Sequence, residues 1–190
     1  FTFIPSAFDS AEYYYDEFID RFGRYGYKNF SLLHIDRPHT HDAVTKALGS
    51  DLIYLSGGNT FYFLKHLRLS GFDRALKEYV NRGGILAGHS AGAILMTPTI
   101  NTASYPECNR DTNEVELTNW QALRLVRFEF FPHYRSSQTY DPDLLYESKQ
   151  VDHPIYAVPD GSGIWINKNH ATFFGRIFAF VKGNRFRITF

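Results

Sequence analysis

The sequence predicts a three-layer α/β fold, in which a mostly parallel sheet carries helices on both faces and an antiparallel extension follows at the carboxyl end. Two observations lead to this prediction. Short apolar segments alternate with longer amphipathic segments through the first half of the 190 residues, which is the pattern of repeated βαβ units. The carboxyl-terminal region instead holds short strand-like segments separated by turns that contain glycine, which is typical of antiparallel hairpins.

The elements of the first half follow from these patterns. Because a strand and a helix repeat in order, right-handed crossovers and a parallel sheet are expected. The Gly pair that closes the fourth helical segment suits a helix carboxyl terminus. Buried strands are predicted at residues 1–5, 29–35, 51–58 and 83–89, and helices at residues 9–26, 39–48, 60–69 and 71–84.

The second half is less regular. Residues 97–120 are rich in Thr, Asn, Pro and charge, and they predict a long excursion of the kind that is often functional. A strand over 123–134 and a helix over 141–150 come next, and hairpins are predicted through 155–190, with turns at Asp160-Gly161 and Gly183-Asn184. No repeat or linker divides the chain, so a single domain over residues 1–190 is expected.

Composition narrows the class of function. Lys and Arg together number 20, as do Asp and Glu, so the formal net charge is zero. There is thus no excess positive charge to attract nucleic acid or an anionic membrane. No apolar run approaches the roughly 20 residues that a membrane helix needs. The single cysteine, Cys108, fits a reducing compartment and hence a cytoplasmic location.

A serine lies at the junction of a predicted strand and a predicted helix. Residues 88–92 read Gly-His-Ser-Ala-Gly, which fits the G-x-S-x-G pattern of a nucleophile elbow in its required context. A tight turn there holds the Ser90 hydroxyl out at the carboxyl edge of the sheet, and the following helix offers the Ala91 N–H to an oxyanion. We therefore predict Ser90 as a nucleophile, with close strand–helix packing as the alternative reading of the glycines.

A second glycine loop ends the preceding strand. Residues 57–61 read Gly-Gly-Asn-Thr-Phe, and neighbouring parallel strands would bring this loop to the same sheet edge as Ser90. The backbone of Gly58 or Asn59 then supplies a second oxyanion donor. The alternative is an ordinary turn in which Asn59 or Thr60 caps the next helix.

A serine nucleophile needs a base, and His133 is the best-placed candidate because it lies at the end of the predicted strand 123–134 and can stand at the same edge. His153 precedes its strand, His170 lies in a turn, and His89 adjoins Ser90 on an extended segment, where neighbouring side chains point apart. These three histidines are weaker candidates on position alone.

The base in turn needs an acid that orients its imidazole. Asp160 follows a strand that could lie beside the one that ends at His133, although an Asp in Pro-Asp-Gly also suits a turn by itself. Glu129, Asp141 and Asp152 are weaker candidates. The order Ser, His, Asp differs from the Ser, acid, His order of α/β-hydrolases, so that fold is a poor fit.

Taken together, these motifs resemble the peptidase E group of serine peptidases, which comprises aspartyl dipeptidases and the related cyanophycinases. The resemblance rests on five segments and spans nearly the whole chain. The segments are residues 57–61, the Ala-Gly-His-Ser-Ala-Gly-Ala of 87–93, the Pro-Thr-Ile of 98–100, the Pro-His-Tyr of 132–134 and the Asp-Gly-Ser of 160–162.

The resemblance implies a flavodoxin-like sheet related to that of class I glutamine amidotransferases, with serine in place of the elbow cysteine. It maps the nucleophile to Ser90, the base to His133 and the acid to Asp160, where the dipeptidases often have Glu. It implies hydrolysis of short peptides after an N-terminal Asp through an acyl-enzyme. Thr99, in the excursion, and Arg135, close to the base His133, are candidates for substrate binding.

The resemblance also implies a further strand before Phe1, so the sequence is expected to lack an N-terminal strand of the family. No metal or organic cofactor is expected, and the partner is a small peptide, with the chain a monomer or a homodimer. Two other hypotheses remain open at this stage: a non-catalytic binding or assembly module of the same fold, and a cyanophycinase-like amide hydrolase.

Overall fold

The computed structural model describes residues 1–7, 9, 11–168 and 170–188. The strands are β1 (Thr2–Ile4), β2 (Ser31–Leu32), β3 (Leu52–Leu55), β4 (Ile85–Gly88), β5 (Glu129–Phe131), β6 (Ile155–Ala157), β7 (Gly163–Asn167), β8 (His170–Phe174), β9 (Ile177–Val181) and β10 (Asn184–Ile188). The helices are α1 (Ala11–Gly23), α2 (His41–Leu48), α3 (Thr60–Leu69), α4 (Phe72–Asn81), α5 (Ala91–Ile94) and α6 (Asp141–Glu147). As far as α5, each strand is followed by one helix, except that two helices, α3 and α4, lie between β3 and β4, in the predicted order.

The first four strands form one parallel sheet in the order β2-β1-β3-β4. In the pairing of β3 with β4, Leu55 lies opposite Gly88. The loops that follow β3 and β4 therefore leave the sheet side by side at its carboxyl edge. The predicted fold class, a parallel sheet flanked by helices with extra antiparallel strands at the carboxyl end, is confirmed.

The two faces of this sheet are covered by different helices. Phe3 and Tyr54 are partners in register, and both pack against Phe18 of α1, with ring centroids 5.2 Å and 5.0 Å away. On the other face, the fully buried Leu55 belongs to one core cluster with Leu64 of α3. Since successive side chains of a strand point to opposite faces, this alternation places helices on both sides of the sheet.

The carboxyl-terminal strands form a second sheet, and its pairing corrects one sequence-based expectation. Its order is β10-β9-β6-β5, with β5 parallel to β6 and the other pairs antiparallel. The turn at Asp160-Gly161 was expected to close a hairpin, but β7 pairs with β8 in a separate two-stranded sheet. Buried Ile155 and Ala157 hold β6 in the core, whereas β7 is partly exposed. The alternation of apolar and polar residues in the sequence does not distinguish a buried strand from a partly exposed one.

The excursion over residues 97–120 is ordered by hydrogen bonds rather than by regular strands. It contains two short 3-10 helices, Asn101–Ser104 and Glu107–Asn109. Its base is closed by a bond from Ile100 N–H to the Trp120 carbonyl at 2.9 Å. Arg68 of α3 donates to the Asn119 carbonyl at 2.6 Å. These contacts fasten the excursion to α3, beside the carboxyl edge of the first sheet.

Among the residues that the structure describes, no helix is both long enough and apolar enough to cross a membrane. The longest helix, α1, has 13 residues, which is well short of the roughly 20 that a spanning helix requires.

Candidate active site

The turn between β4 and α5 holds Ser90 in a backbone conformation that side-chain-bearing residues rarely adopt, with φ 51° and ψ −114°. Its two flanking glycines are required by space. A Cβ at Gly88 would meet the backbone of Gly92, and a Cβ at Gly92 would collide with the carbonyl of Leu55. Backbone of this kind typically costs about 1–3 kcal/mol and is found at functional sites. The glycines are therefore needed for close packing of the strand against the helix, and the same tight turn fixes the position of Ser90.

The loop after β3 lies directly against this turn. A Cβ at Gly57 would be 3.4 Å from the Ser90 Cβ, and Gly58 has φ 133°, a value that favours glycine. Asn59 caps α3, since its side-chain oxygen accepts from the Tyr62 N–H at 2.9 Å. The loop thus serves as an ordinary helix start and also brings Gly57 against the serine; an oxyanion role for Gly58 or Asn59 stays a prediction.

Ala91 is the first residue of α5, so its N–H has no acceptor within the helix. Helix α5 is only four residues long. A helix of one turn sums few peptide dipoles. Any oxyanion stabilisation here would come from individual N–H groups.

The structure brings Ser90, His133 and Asp160 into one hydrogen-bonded series. His133 Nε2 lies 2.9 Å from Ser90 Oγ, and His133 Nδ1 lies 2.7 Å from Asp160 Oδ1. Because a carboxylate only accepts, Nδ1–H donates to Asp160 and Nε2 accepts the serine O–H. This is the hydrogen-bonding arrangement that a serine nucleophile needs.

The parallel pairing of β5 and β6 accounts for the meeting of the base and the acid. His133 follows β5, with φ 54°, and Asp160 follows β6. The Tyr134 N–H donates to the Val158 carbonyl at 3.2 Å, and the Val158 N–H donates to the Phe131 carbonyl at 2.8 Å. These bonds extend the pairing beyond the strands. The acid is well exposed, at 71%, and the imidazole less so, at 39%.

His89 lies beside the base but outside the series. Its ring packs at right angles to that of His133, with centroids 5.8 Å apart. Burial, followed by the charge of His133, lowers the pKa of His89 below its usual 6.5. A neutral imidazole is therefore favoured next to a base that gains charge during a reaction.

The competing acids and bases are engaged elsewhere. Glu129 is buried and accepts hydrogen bonds from Thr97 Oγ1 at 2.8 Å and from Thr99 Oγ1 at 2.9 Å. His153 Nε2 lies 3.4 Å from Glu129 Oε1. Asp141 accepts from the Tyr134 hydroxyl at 2.6 Å.

A cleft of about 160 Å³ opens next to Ser90 and His133. Besides these two, the residues that line it are Thr60, Ile94, Thr102, Ala103, Tyr105, Asn109, Asp111, Phe131 and Pro132. Thr99, a candidate for substrate binding, instead bonds to buried Glu129. Arg135, the other candidate, is exposed and is not among the lining residues, so a substrate-binding role for either stays a prediction.

Sequence reasoning missed Asp111, and it considered Glu129 only as a weaker candidate for the catalytic acid. Asp111 lines the cleft, and Glu129 anchors the start of the excursion from within the core. The length of the excursion was the one signal that pointed toward Asp111, since it marked the whole segment as functional. Within the described ranges, no group of three or more His, Cys, Asp or Glu side chains could hold a metal ion.

Comparison with known protein families shows to which family the chain belongs. The model of peptidase family S51 matches residues 1–174. The chain belongs to peptidase family S51. The predicted resemblance to the peptidase E group is thereby confirmed.

Individual relatives of the S51 chain agree with this assignment. An uncharacterized peptidase of Listeria monocytogenes is 34% identical over 141 residues, which cover 72% of this chain and 66% of that protein. Peptidase E of Escherichia coli is 30% identical over 144 residues, covering 70% and 59% respectively. The matched part therefore spans less than two thirds of the length of either relative.

Solved structures support the fold of the S51 chain. A crystal structure of a candidate peptidase E protein from Listeria monocytogenes superposes with a TM-score of 0.71 at 28% identity, covering 90% of this chain and 83% of that one. A peptidase from an acI-B1 actinobacterium gives a TM-score of 0.70 at 15% identity and covers 80% of that chain. At that identity, the second likeness concerns the fold alone.

Proposed function

We propose that this protein is a serine-type exopeptidase that hydrolyses short peptides through an acyl-enzyme. The observation that carries the proposal is the series of hydrogen bonds from Ser90 to His133 at 2.9 Å and from His133 to Asp160 at 2.7 Å. Membership of peptidase family S51 supports it independently. The single free cysteine, the exposed Cys108, is compatible with action in the cytoplasm.

In the first step, Ser90 Oγ attacks the carbonyl carbon of the scissile bond while His133 Nε2 takes the hydroxyl proton. His133 then delivers that proton to the leaving amine, the C–N bond breaks, and an ester on Ser90 remains. Water attacks the ester, gives a proton to Nε2, and releases the carboxylic acid as Ser90 recovers its hydrogen. Asp160 holds the tautomer of His133 throughout and stabilises the imidazolium.

The oxyanion of each tetrahedral intermediate would be held by backbone N–H groups of Ala91 and of Gly58 or Asn59. Support comes from the close approach of the Gly57 loop to Ser90. In enzymes in which one such donor has been removed, the loss is about 3–4 kcal/mol of transition-state stabilisation.

The size of the cleft supports a short substrate. A volume of about 160 Å³ is about that of five water molecules in the liquid, which is enough for one residue on the acyl side of the scissile bond. Cleavage after an N-terminal Asp is the part of the family expectation that the cleft supports least, because no Lys or Arg is among its described lining residues.

Hydrolysis of a panel of dipeptides, followed by chromatography of the released amino acids, tests the proposal. The wild-type protein should cleave at least one member of the panel, and Ser90→Ala and His133→Gln should each abolish cleavage. His153→Gln, which changes a histidine that contacts Glu129 rather than Ser90, serves as the matched control and should retain activity. Cleavage that survives in Ser90→Ala would rule the proposal out.

A further inference from the structure

The cleft beside Ser90 contains a fixed carboxylate. Asp111 lies in its wall together with Ser90 and His133. Among the described residues that line the cleft there is no Lys or Arg, so Asp111 has no cationic partner within the lining. A carboxylate that faces a small cleft without such a partner favours a positively charged ligand group.

Two hydrogen bonds to the main chain hold Asp111 in place. Its Oδ2 accepts from the Thr60 N–H at 2.7 Å, and its own N–H donates to the Ala103 carbonyl at 2.9 Å. The next residue is held as well, because Asn59 Nδ2 donates to the Thr112 carbonyl at 2.8 Å. The carboxylate is therefore attached to the same loop that approaches Ser90.

The remaining wall of the cleft is uncharged and mixes apolar residues with the polar Thr60, Thr102 and Asn109. Ile94, Ala103 and Phe131 are buried and turn only small surfaces to the cleft. Tyr105 stacks against Phe131, with ring centroids 5.7 Å apart. Such a wall suits a small neutral side chain, because it has no Lys or Arg to neutralise an acidic one.

We propose that Asp111 binds the free α-ammonium group of the N-terminal residue whose carbonyl Ser90 attacks, and that this residue carries a small neutral side chain rather than that of Asp. This inference rests on the proposed peptidase activity. In an N-terminal residue, a single carbon separates the ammonium nitrogen from the reacting carbonyl carbon. A group that binds the ammonium must therefore share one small cleft with the nucleophile, as Asp111 does.

The same carboxylate disfavours an aspartyl side chain in the cleft. Two negative charges confined to one small cleft, with no lining cation between them, repel each other. We expect an alanyl substrate to be preferred over an aspartyl substrate by at least about 10-fold in kcat/KM, since juxtaposed like charges in a binding site cost that much or more.

Three p-nitroanilides test the inference: alanyl, N-acetylalanyl and aspartyl. The wild-type protein should release p-nitroaniline from the alanyl compound and much more slowly from the other two. Asp111→Asn removes the charge and keeps an oxygen for the Thr60 N–H. It should lower kcat/KM for the alanyl compound by about 10- to 100-fold, the range for loss of a charge-assisted hydrogen bond, and should narrow the preference for alanyl over aspartyl.

Glu107→Gln is the matched control, because it removes an exposed carboxylate of the same segment that pairs with Arg110 and does not line the cleft. It should leave all three rates unchanged. Labelling of Ser90 by a fluorophosphonate, which carries no ammonium, should proceed equally in wild type and Asp111→Asn, showing that the variant folds and keeps its nucleophile.

The outcomes separate the two proposals. Equal rates on the alanyl and N-acetylalanyl compounds, a faster aspartyl compound in wild type, or an Asp111→Asn variant as active as wild type would overturn the inference and leave the peptidase proposal standing. The substrate comparison in wild type needs no variant. A wild-type protein that neither reacts with the fluorophosphonate nor cleaves any of the three compounds would overturn both.

Discussion

Replacing Ser90 by glycine should stabilise the protein relative to replacement by alanine. At φ 51° and ψ −114°, a residue with a Cβ is strained by about 1–3 kcal/mol, and glycine relieves this strain. Glycine also raises the entropy of the unfolded chain, which costs about 0.4–1 kcal/mol relative to alanine. Both variants lose the hydroxyl and its bond to His133, so that contribution cancels. The difference left is about 0–2.6 kcal/mol in favour of Ser90→Gly, with a middle value of about 1.3 kcal/mol.

Thermal unfolding followed by circular dichroism measures this difference. In a domain of this size, 1 kcal/mol corresponds to about 2–4 °C in Tm, so Ser90→Gly should melt a few degrees higher than Ser90→Ala. The sign is decisive, because at an unstrained position the glycine variant would melt lower. A lower Tm for Ser90→Gly would show that the turn at Ser90 is not strained and would refute the argument from the elbow.

Three further predictions concern stability. Gly92→Ala should lower the free energy of unfolding by about 1–3 kcal/mol, because the added Cβ collides with a carbonyl of β3. The control Gly23→Ala, at a position with open space around it, should leave the free energy of unfolding unchanged or raise it. Urea titration measures both variants. Glu129→Ala should lower the free energy of unfolding by about 3 kcal/mol or more, because the hydroxyls of Thr97 and Thr99 lose their buried acceptor. Urea titration measures this change as well. Because burial lowers the pKa of His89 in the folded state, the unfolded state takes up that proton first, so stability should fall as pH falls from about 6.5. The loss should be smaller in His89→Gln than in the exposed His41→Gln control.

The fold and the elbow could be predicted from the sequence because their signals are local. The alternation of apolar runs and amphipathic segments marks βα units, and the spacing of glycines around Ser90 reports two close backbone contacts, at Gly88 and Gly92. The side-by-side position of the two loops followed from parallel pairing alone. Contacts between distant parts of the chain could be predicted only as far as the sequence indicates which strands are neighbours.

The features that escaped prediction depend on distant partners. The position of β6 between β5 and β9, in place of the expected hairpin at Asp160-Gly161, is set by burial of Ile155 and Ala157 in the second core. Asp111 reaches the cleft because its segment is fastened to the start of α3. Glu129 looked like a spare acid in sequence, but its partners Thr97 and Thr99 lie 32 and 30 residues away, and only the folded chain brings them together.

Peptide mapping of the protein after reaction with a fluorophosphonate tests most directly whether Ser90 is a nucleophile activated by His133. Attack by Ser90 Oγ displaces fluoride while His133 accepts the proton, so one phosphonyl group should appear on the peptide that contains Ser90. Labelling should be lost in Ser90→Ala and be slowed at least about 100-fold in His133→Gln, the lower limit of what a positioned general base contributes. An unlabelled Ser90, or equal labelling in wild type and His133→Gln, would contradict the proposed mechanism.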